Sequence, residues 1–153
     1  MMNIAEALEE LFRQKNWKYQ KIDKGVYAFR LWGKNDRYHL GAYIDDSFFL
    51  SIMAYPTSIA PREKLALVAE FLLGVNFKLK IGSFMLDFGS GETIFRTTVE
   101  LTNDHVEPEV IDRMISRTIF AVDTFTPGLL ALIYSDITPA QAIKIAEKKG
   151  LET

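Results

Sequence analysis

The chain has 0 cysteines among its 153 residues. Disulfides, thiolate metal sites, iron–sulfur clusters and thiol nucleophiles are thereby excluded. Histidine is nearly as scarce, with 2 copies at His39 and His105. Glycine and proline number 9 and 5, and no linker, low-complexity tract or repeat is evident. Neither sign of charge dominates: 18 Lys and Arg stand against 20 Asp and Glu, for a net charge of -2 and a pI near 5.7. A whole-chain basic footprint for nucleic acid is missing, so no nucleic-acid partner is expected.

Long hydrophobic runs are missing too. The most apolar stretch, Phe120 to Ile137, is interrupted by Asp123, Pro127 and Asp136. It is too short and polar to span a bilayer. The segment Met1 to Glu10 lacks the basic start and unbroken apolar centre of a signal peptide. The expectation is a cytoplasmic protein with no membrane partner.

What remains is an ordinary globular composition, 48% hydrophobic and 25% charged. The length suits one domain, residues 1–153, with enough chain for a true core. Asn3 with Glu6 reads as a capping box for a first helix, and Ile4, Leu8, Leu11 and Phe12 form its apolar stripe. Strand patterns follow at Trp17 to Ile22, Val26 to Trp32, Arg37 to Ile44 and Phe48 to Tyr55. The turns between them are short, which requires antiparallel pairing. Pro61 starts a helix that is apolar over a wide arc, including Leu65, Leu67, Val68, Phe71 and Leu72. Phe77 to Asp87 and Glu92 to Leu101 read as a hairpin, with Gly82 marking a bulge or close approach. Pro108 opens a further helix, which Thr126-Pro127 should break or kink. Thr138-Pro139 with Gln141 starts a last one. The order helix–strands–helix–two strands–helices predicts an α+β fold, with an antiparallel sheet packed on one side by helices.

Candidate chemistry is sparse. His105 lies in the acidic turn Asn103 to Glu107, but its neighbours share one short loop, so a solvated loop is the better reading than a metal site. Asp45-Asp46 reads as a turn, because adjacent strand-end residues point apart. Gly89-Ser90-Gly91 is followed by strand instead of a helix N-terminus, so it reads as a hairpin turn and not a phosphate loop. Arg30 and Arg96 alternate with apolar neighbours on strands. Arg96 suits a sheet-surface ion pair with Asp87 or Glu100, or an anchor for a partner's carboxylate. Basic and aromatic residues interleave at Trp17-Lys18-Tyr19 and Phe29-Arg30-Leu31-Trp32, more often a core pattern than a base-stacking one. No catalytic residue, metal or cofactor is expected.

The informative excess is apolar. The helix after Pro61, the strand Phe48-Phe49-Leu50 and the segment Phe120 to Tyr134 carry more bulk than one small core needs. A dimer interface or a partner groove would absorb it. Phe49, Leu67 and Phe71 are the expected dimer contacts, and Phe125, Leu129, Tyr134 and Arg96 the expected partner-binding residues.

Several residues carry a family pattern. They are Gly25-Val26-Tyr27, Asn76, Leu79, Gly82, Phe84, Asp87, Gly91-Glu92, Phe95-Arg96, Met114, Pro127-Gly128-Leu129 and Ile133-Tyr134. Over most of its length the chain resembles the YbjN-like family of proposed bacterial sensory transduction regulators, which shares the type III secretion chaperone-like fold. These are turn, core and cap positions, and the resemblance brings no active-site residues with it. It implies a dimerising α+β module that binds a protein or peptide. The expected function is therefore a non-enzymatic, homodimeric binding module in a regulatory or chaperone-like role. The alternative is a small-ligand sensor with a pocket between sheet and helices.

Overall fold

The computed structural model describes residues 2–151. Asn3 caps the first helix as the sequence predicts. Its side-chain oxygen accepts from the Glu6 main-chain N–H at 2.8 Å, and its Nδ2 donates to Glu6 Oε1 at 2.9 Å. Helix α1, Ile4–Lys15, then buries Ile4, Ala7, Leu8, Leu11 and Phe12. It stops at Asn16, which adopts the left-handed conformation at φ 56.

Six strands follow one another in a single antiparallel sheet: β1 (Tyr19–Asp23), β2 (Val26–Trp32), β3 (Arg37–Ile44), β4 (Phe49–Tyr55), β5 (Ser83–Leu86) and β6 (Thr93–Glu100). Their spatial order is β1-β2-β3-β4-β6-β5. Alternation sets the two faces. In β4, Leu50, Ile52 and Ala54 are buried, while Phe49, Ser51, Met53 and Tyr55 are half-exposed on the other side. The buried set joins Tyr27, Phe29, Tyr38, Leu40 and Phe95 in one core beneath the helices.

Helix α2 (Leu65–Lys78) is entered through a 3-10 turn at Arg62–Lys64 and packs on β5. Helix α3 (Pro108–Tyr134) lies against β4 and β6, and α4 (Pro139–Leu151) packs on α2 and α3. The fold is thus α+β, with helices on one face of an antiparallel sheet, in the element order the sequence predicts.

Two expectations fail locally. The strand expected from Phe77 begins only at Ser83, because α2 runs on to Lys78. Asn76 explains the boundary: its side chain accepts from the Phe84 N–H at 2.7 Å and donates to the Phe84 carbonyl at 2.9 Å. That clasp holds the last turn of the helix against the start of β5. Of the break or kink expected at Pro127, the break is absent: α3, 27 residues long, runs through it to Tyr134. Proline removes one helical N–H, and the carbonyl left over, that of Asp123, takes a donor from outside the helix. Past the proline, Gly128 sits against the Ala142 carbonyl, so α4 crosses α3 at a point where no side chain fits.

Candidate functional site

The helices leave the outer face of the sheet open. Alternation places Arg30 and Trp32 of β2 there, with Arg37, His39, Gly41 and Tyr43 of β3 beside them. The register puts Trp32 opposite Arg37, Arg30 opposite His39, His39 opposite Tyr55, and Met53 opposite Arg96. These side chains form a continuous band across four strands.

The band is internally ordered. The Arg37 guanidinium lies 5.4 Å from the centre of the Trp32 ring, a cation–π contact on a tryptophan that is 74% exposed. Tyr43 folds its ring over Gly41, where an added Cβ would come within 2.7 Å of the ring. Its hydroxyl lies 3.5 Å from that of Tyr55, which donates to Met53 Sδ at 3.3 Å. Burial first, and the contact with Tyr43 second, push the Tyr55 phenol well above its ordinary range.

One end of this face has an open edge. Strand β1 pairs with β2 only as far as Phe29, opposite Tyr19. Beyond Phe29, the β1 side of Arg30 to Trp32 has no strand partner among the described residues. A cleft of about 1620 Å³ surrounds this stretch and takes residues from both faces of β2. Trp17, Leu31, Ile119 and the exposed Phe120 supply apolar surface, and Lys18, Arg30, Lys34 and Arg37 supply cations. A smaller cleft of about 410 Å³, lined by Thr57, Ile59 and Glu92, shares His39 and Tyr55 with the first.

Asp123 is the carboxylate of the larger cleft, and it is fully engaged. It accepts from the Lys34 N–H at 2.8 Å, the Asn35 N–H at 2.9 Å and the Tyr38 hydroxyl at 2.8 Å. Burial pushes the Tyr38 phenol far up, so it stays a proton donor to Asp123. The carboxylate therefore pins the turn between β2 and β3 to α3. Gly33 packs directly on it, leaving no room for a side chain there.

The residues expected to bind a partner or a second copy are placed differently. Phe125 and Leu129 are buried, and the Phe125 ring meets the Phe84 ring edge-on at 6.2 Å. Because α3 continues through Pro127, both point into the core, and neither can line an exposed groove. Tyr134 is exposed at the C-terminal end of α3, on the helix layer and apart from the outer-face residues. Arg96 is exposed on the outer face, and among the described residues it makes no ion pair with Asp87, Glu100 or any other acid. Phe71 is 0% exposed and belongs to the protein's own core, so it cannot be a dimer contact. Phe49 is half-exposed on the outer face, and Leu67 packs against the rim of the core. The apolar residues that α2 does present are Leu73 and Phe77, 71% and 94% exposed.

Other motifs are turns and caps. Asp45 accepts from the Ser47 N–H at 2.9 Å, and Asp87 Oδ1 accepts from the Gly89 N–H at 2.8 Å. Asp104, in the His105 loop, accepts from the Ile4 N–H at 3.2 Å and so supports the start of α1. Among the described residues no group of three potential metal ligands gathers, and no helix is long and apolar enough to cross a membrane.

Sequence reasoning missed Trp32, Arg37, His39 and Tyr43 as one surface. The signal was present in the alternation of the two strands. Following the register back through the turn Gly33 to Asp36 would have placed Arg30, Trp32, Arg37 and His39 on one side.

No family model matches the chain, and no curated protein matches it. Among solved structures, it is similar to YbjN from E. coli, a proposed transcription regulator. The identity is 10% over 78% of this chain and 85% of that one, with a TM-score of 0.60. An uncharacterised protein from Methanothermobacter thermautotrophicus aligns over 94% of this chain and 96% of its own, at 12% identity and a TM-score of 0.40. The chain has a YbjN-like fold.

Proposed function

We propose that the protein is a non-enzymatic peptide- or protein-binding module in a regulatory or chaperone-like role, and that its partner docks on the open end of β2. One observation carries this reading. Among the described residues no strand pairs with β2 beyond Phe29 on its β1 side, and a cleft with apolar and charged walls lies against that edge. An unpaired edge offers a row of N–H and C=O groups to an extended segment, and flanking side chains select among segments. The likeness to YbjN supports the regulatory half of the proposal.

The rival reading is a sensor for a small ligand. Small-molecule sites usually enclose roughly 300–1,000 Å³. The cleft here, at about 1620 Å³, is larger and runs along a strand, which favours an extended ligand.

Self-association remains part of the proposal, with its contacts moved. Leu73 and Phe77 are four residues apart on α2 and share one exposed stripe, which a second copy of the chain would cover.

Peptide display against the intact protein tests the docking site. Selected peptides should lose at least about tenfold in affinity to the Trp32→Ala variant, as expected for an aromatic anchor. Unchanged affinity would contradict the assignment.

A further inference from the structure

The charge around the free edge of β2 is one-sided in a way the whole chain is not. Across the sequence, 20 acidic side chains slightly outnumber 18 basic ones. The cleft reverses this, with Lys18, Arg30, Lys34 and Arg37 against Asp123 alone. That carboxylate is already committed to two main-chain N–H groups and the Tyr38 hydroxyl. Among the described residues neither Arg30 nor Arg37 has an ion-pair partner. The protein therefore gathers cations at its open edge, and among the described residues none of its acids pairs with Arg30 or Arg37.

We propose that the segment docking there is an acidic peptide, whose carboxylates pair with Arg30 and Arg37 while its main chain adds to the edge of β2. The inference rests on the peptide-binding reading and specifies the partner's chemistry. A guanidinium presents several N–H donors in one plane and matches a carboxylate bidentately. Stacking on Trp32 holds the Arg37 guanidinium in place, which lowers the entropy cost of capturing an anion. In an extended peptide, alternate side chains point to opposite sides. Acidic residues at every second position would face Arg30 and Arg37, and apolar ones between them would face Leu31, Ile119 and Phe120.

A single-stranded nucleic acid is the competing polyanion, and two observations favour a peptide over it. An unpaired strand edge pairs with another main chain, which nucleic acid lacks. The rings a base would stack on are partly taken, Trp32 by Arg37 and Tyr43 by the Gly41 backbone.

The test titrates the full chain with fluorescently labelled peptides of about nine residues, long enough to span a strand. One alternates Glu with Val, and its control alternates Gln with Val. An oligothymidine of similar length is the third probe. The Glu peptide should bind about tenfold tighter than the Gln peptide, and molar salt should erase the difference. The double variant Arg30→Gln with Arg37→Gln should bind both peptides alike, with its thermal melt unchanged. Equal affinity of the native chain for both peptides would overturn the acidic preference and leave peptide binding standing. Binding of neither peptide would overturn both. Tighter binding of the oligothymidine would overturn the peptide assignment.

Discussion

Asn35 Nδ2 donates to the main-chain oxygen of Asp123 at 2.9 Å, and that oxygen is the one Pro127 leaves without a helical partner. A residue in the β2–β3 turn thus repairs a defect in α3. The Thr126 hydroxyl donates to the Val122 carbonyl at 2.7 Å, one turn back, a carbonyl whose helical partner the proline leaves in place. Proline in mid-helix costs about 3 kcal/mol, chiefly through the lost donor and the ring clash. Here the lost hydrogen bond is replaced, and the replacement locks the helix to the turn that carries the candidate site.

The lock should be measurable as a coupling. Asn35→Ala should cost about 1 kcal/mol of stability in the native background. In a Pro127→Ala background the new N–H can reach the Asp123 carbonyl, so the same change should cost clearly less. A urea double-mutant cycle reads the difference. Equal costs in both backgrounds would mean that Asn35 does not substitute for the missing helical bond.

Two helix glycines should respond differently. At Gly128 a Cβ would strike the Ala142 carbonyl, main chain that cannot turn aside. Gly128→Ala should therefore cost about 1–3 kcal/mol. At Gly74 the obstacle is the tip of the Ile143 side chain, 2.8 Å away, which can rotate. Helix propensity returns up to about 1 kcal/mol there, so Gly74→Ala should be near neutral. Chemical unfolding of the two variants checks the contrast.

Alkaline pH should unfold the protein from a definite starting point. The Tyr27 hydroxyl donates to Glu9 Oε2 at 3.2 Å. Burial first, and the Glu9 charge second, push its phenol up to about 12. An unfolded tyrosine ionises near roughly 10. The folded value is the higher one, so this stability is complete below about pH 10 and is lost as the pH climbs towards 12. Urea midpoints taken across that window should fall, and fall less steeply in Tyr27→Phe. A loss that begins well below pH 10 would have another cause.

Self-association through α2 predicts a clean variant. Phe77 is 94% exposed and Leu73 is 71% exposed, so Phe77→Glu removes no core contact. Sedimentation at micromolar protein should show a dimer for the native chain and a monomer for Phe77→Glu, with similar melting temperatures. A native monomer would contradict the dimer.

The fold was largely legible in the sequence because its signals are local. Alternation in Val26–Trp32 and Phe49–Tyr55, short turns and the Asn3 cap each act over a few residues. What was not legible depends on distant partners. Pro127 reads as a helix breaker until Asn35 comes to it from across the molecule. Helix α2 is apolar nearly all round, so its pattern could not say that Phe71 faces the core and Phe77 faces outward. The candidate site is harder still, since it arises from the register that sets Trp32 beside Arg37 and from the early end of β1.

The central claim is that the open end of β2 is the docking edge, and amide hydrogen exchange tests it most directly. The intact protein would be compared free and saturated with its tightest display-selected peptide. Slowed exchange is expected at Trp32, whose N–H faces the open side of β2, on peptide binding, with α2, α4 and the β3-bonded Leu31 unchanged. Protection confined to the helices, with Trp32 exchanging as before, would contradict it.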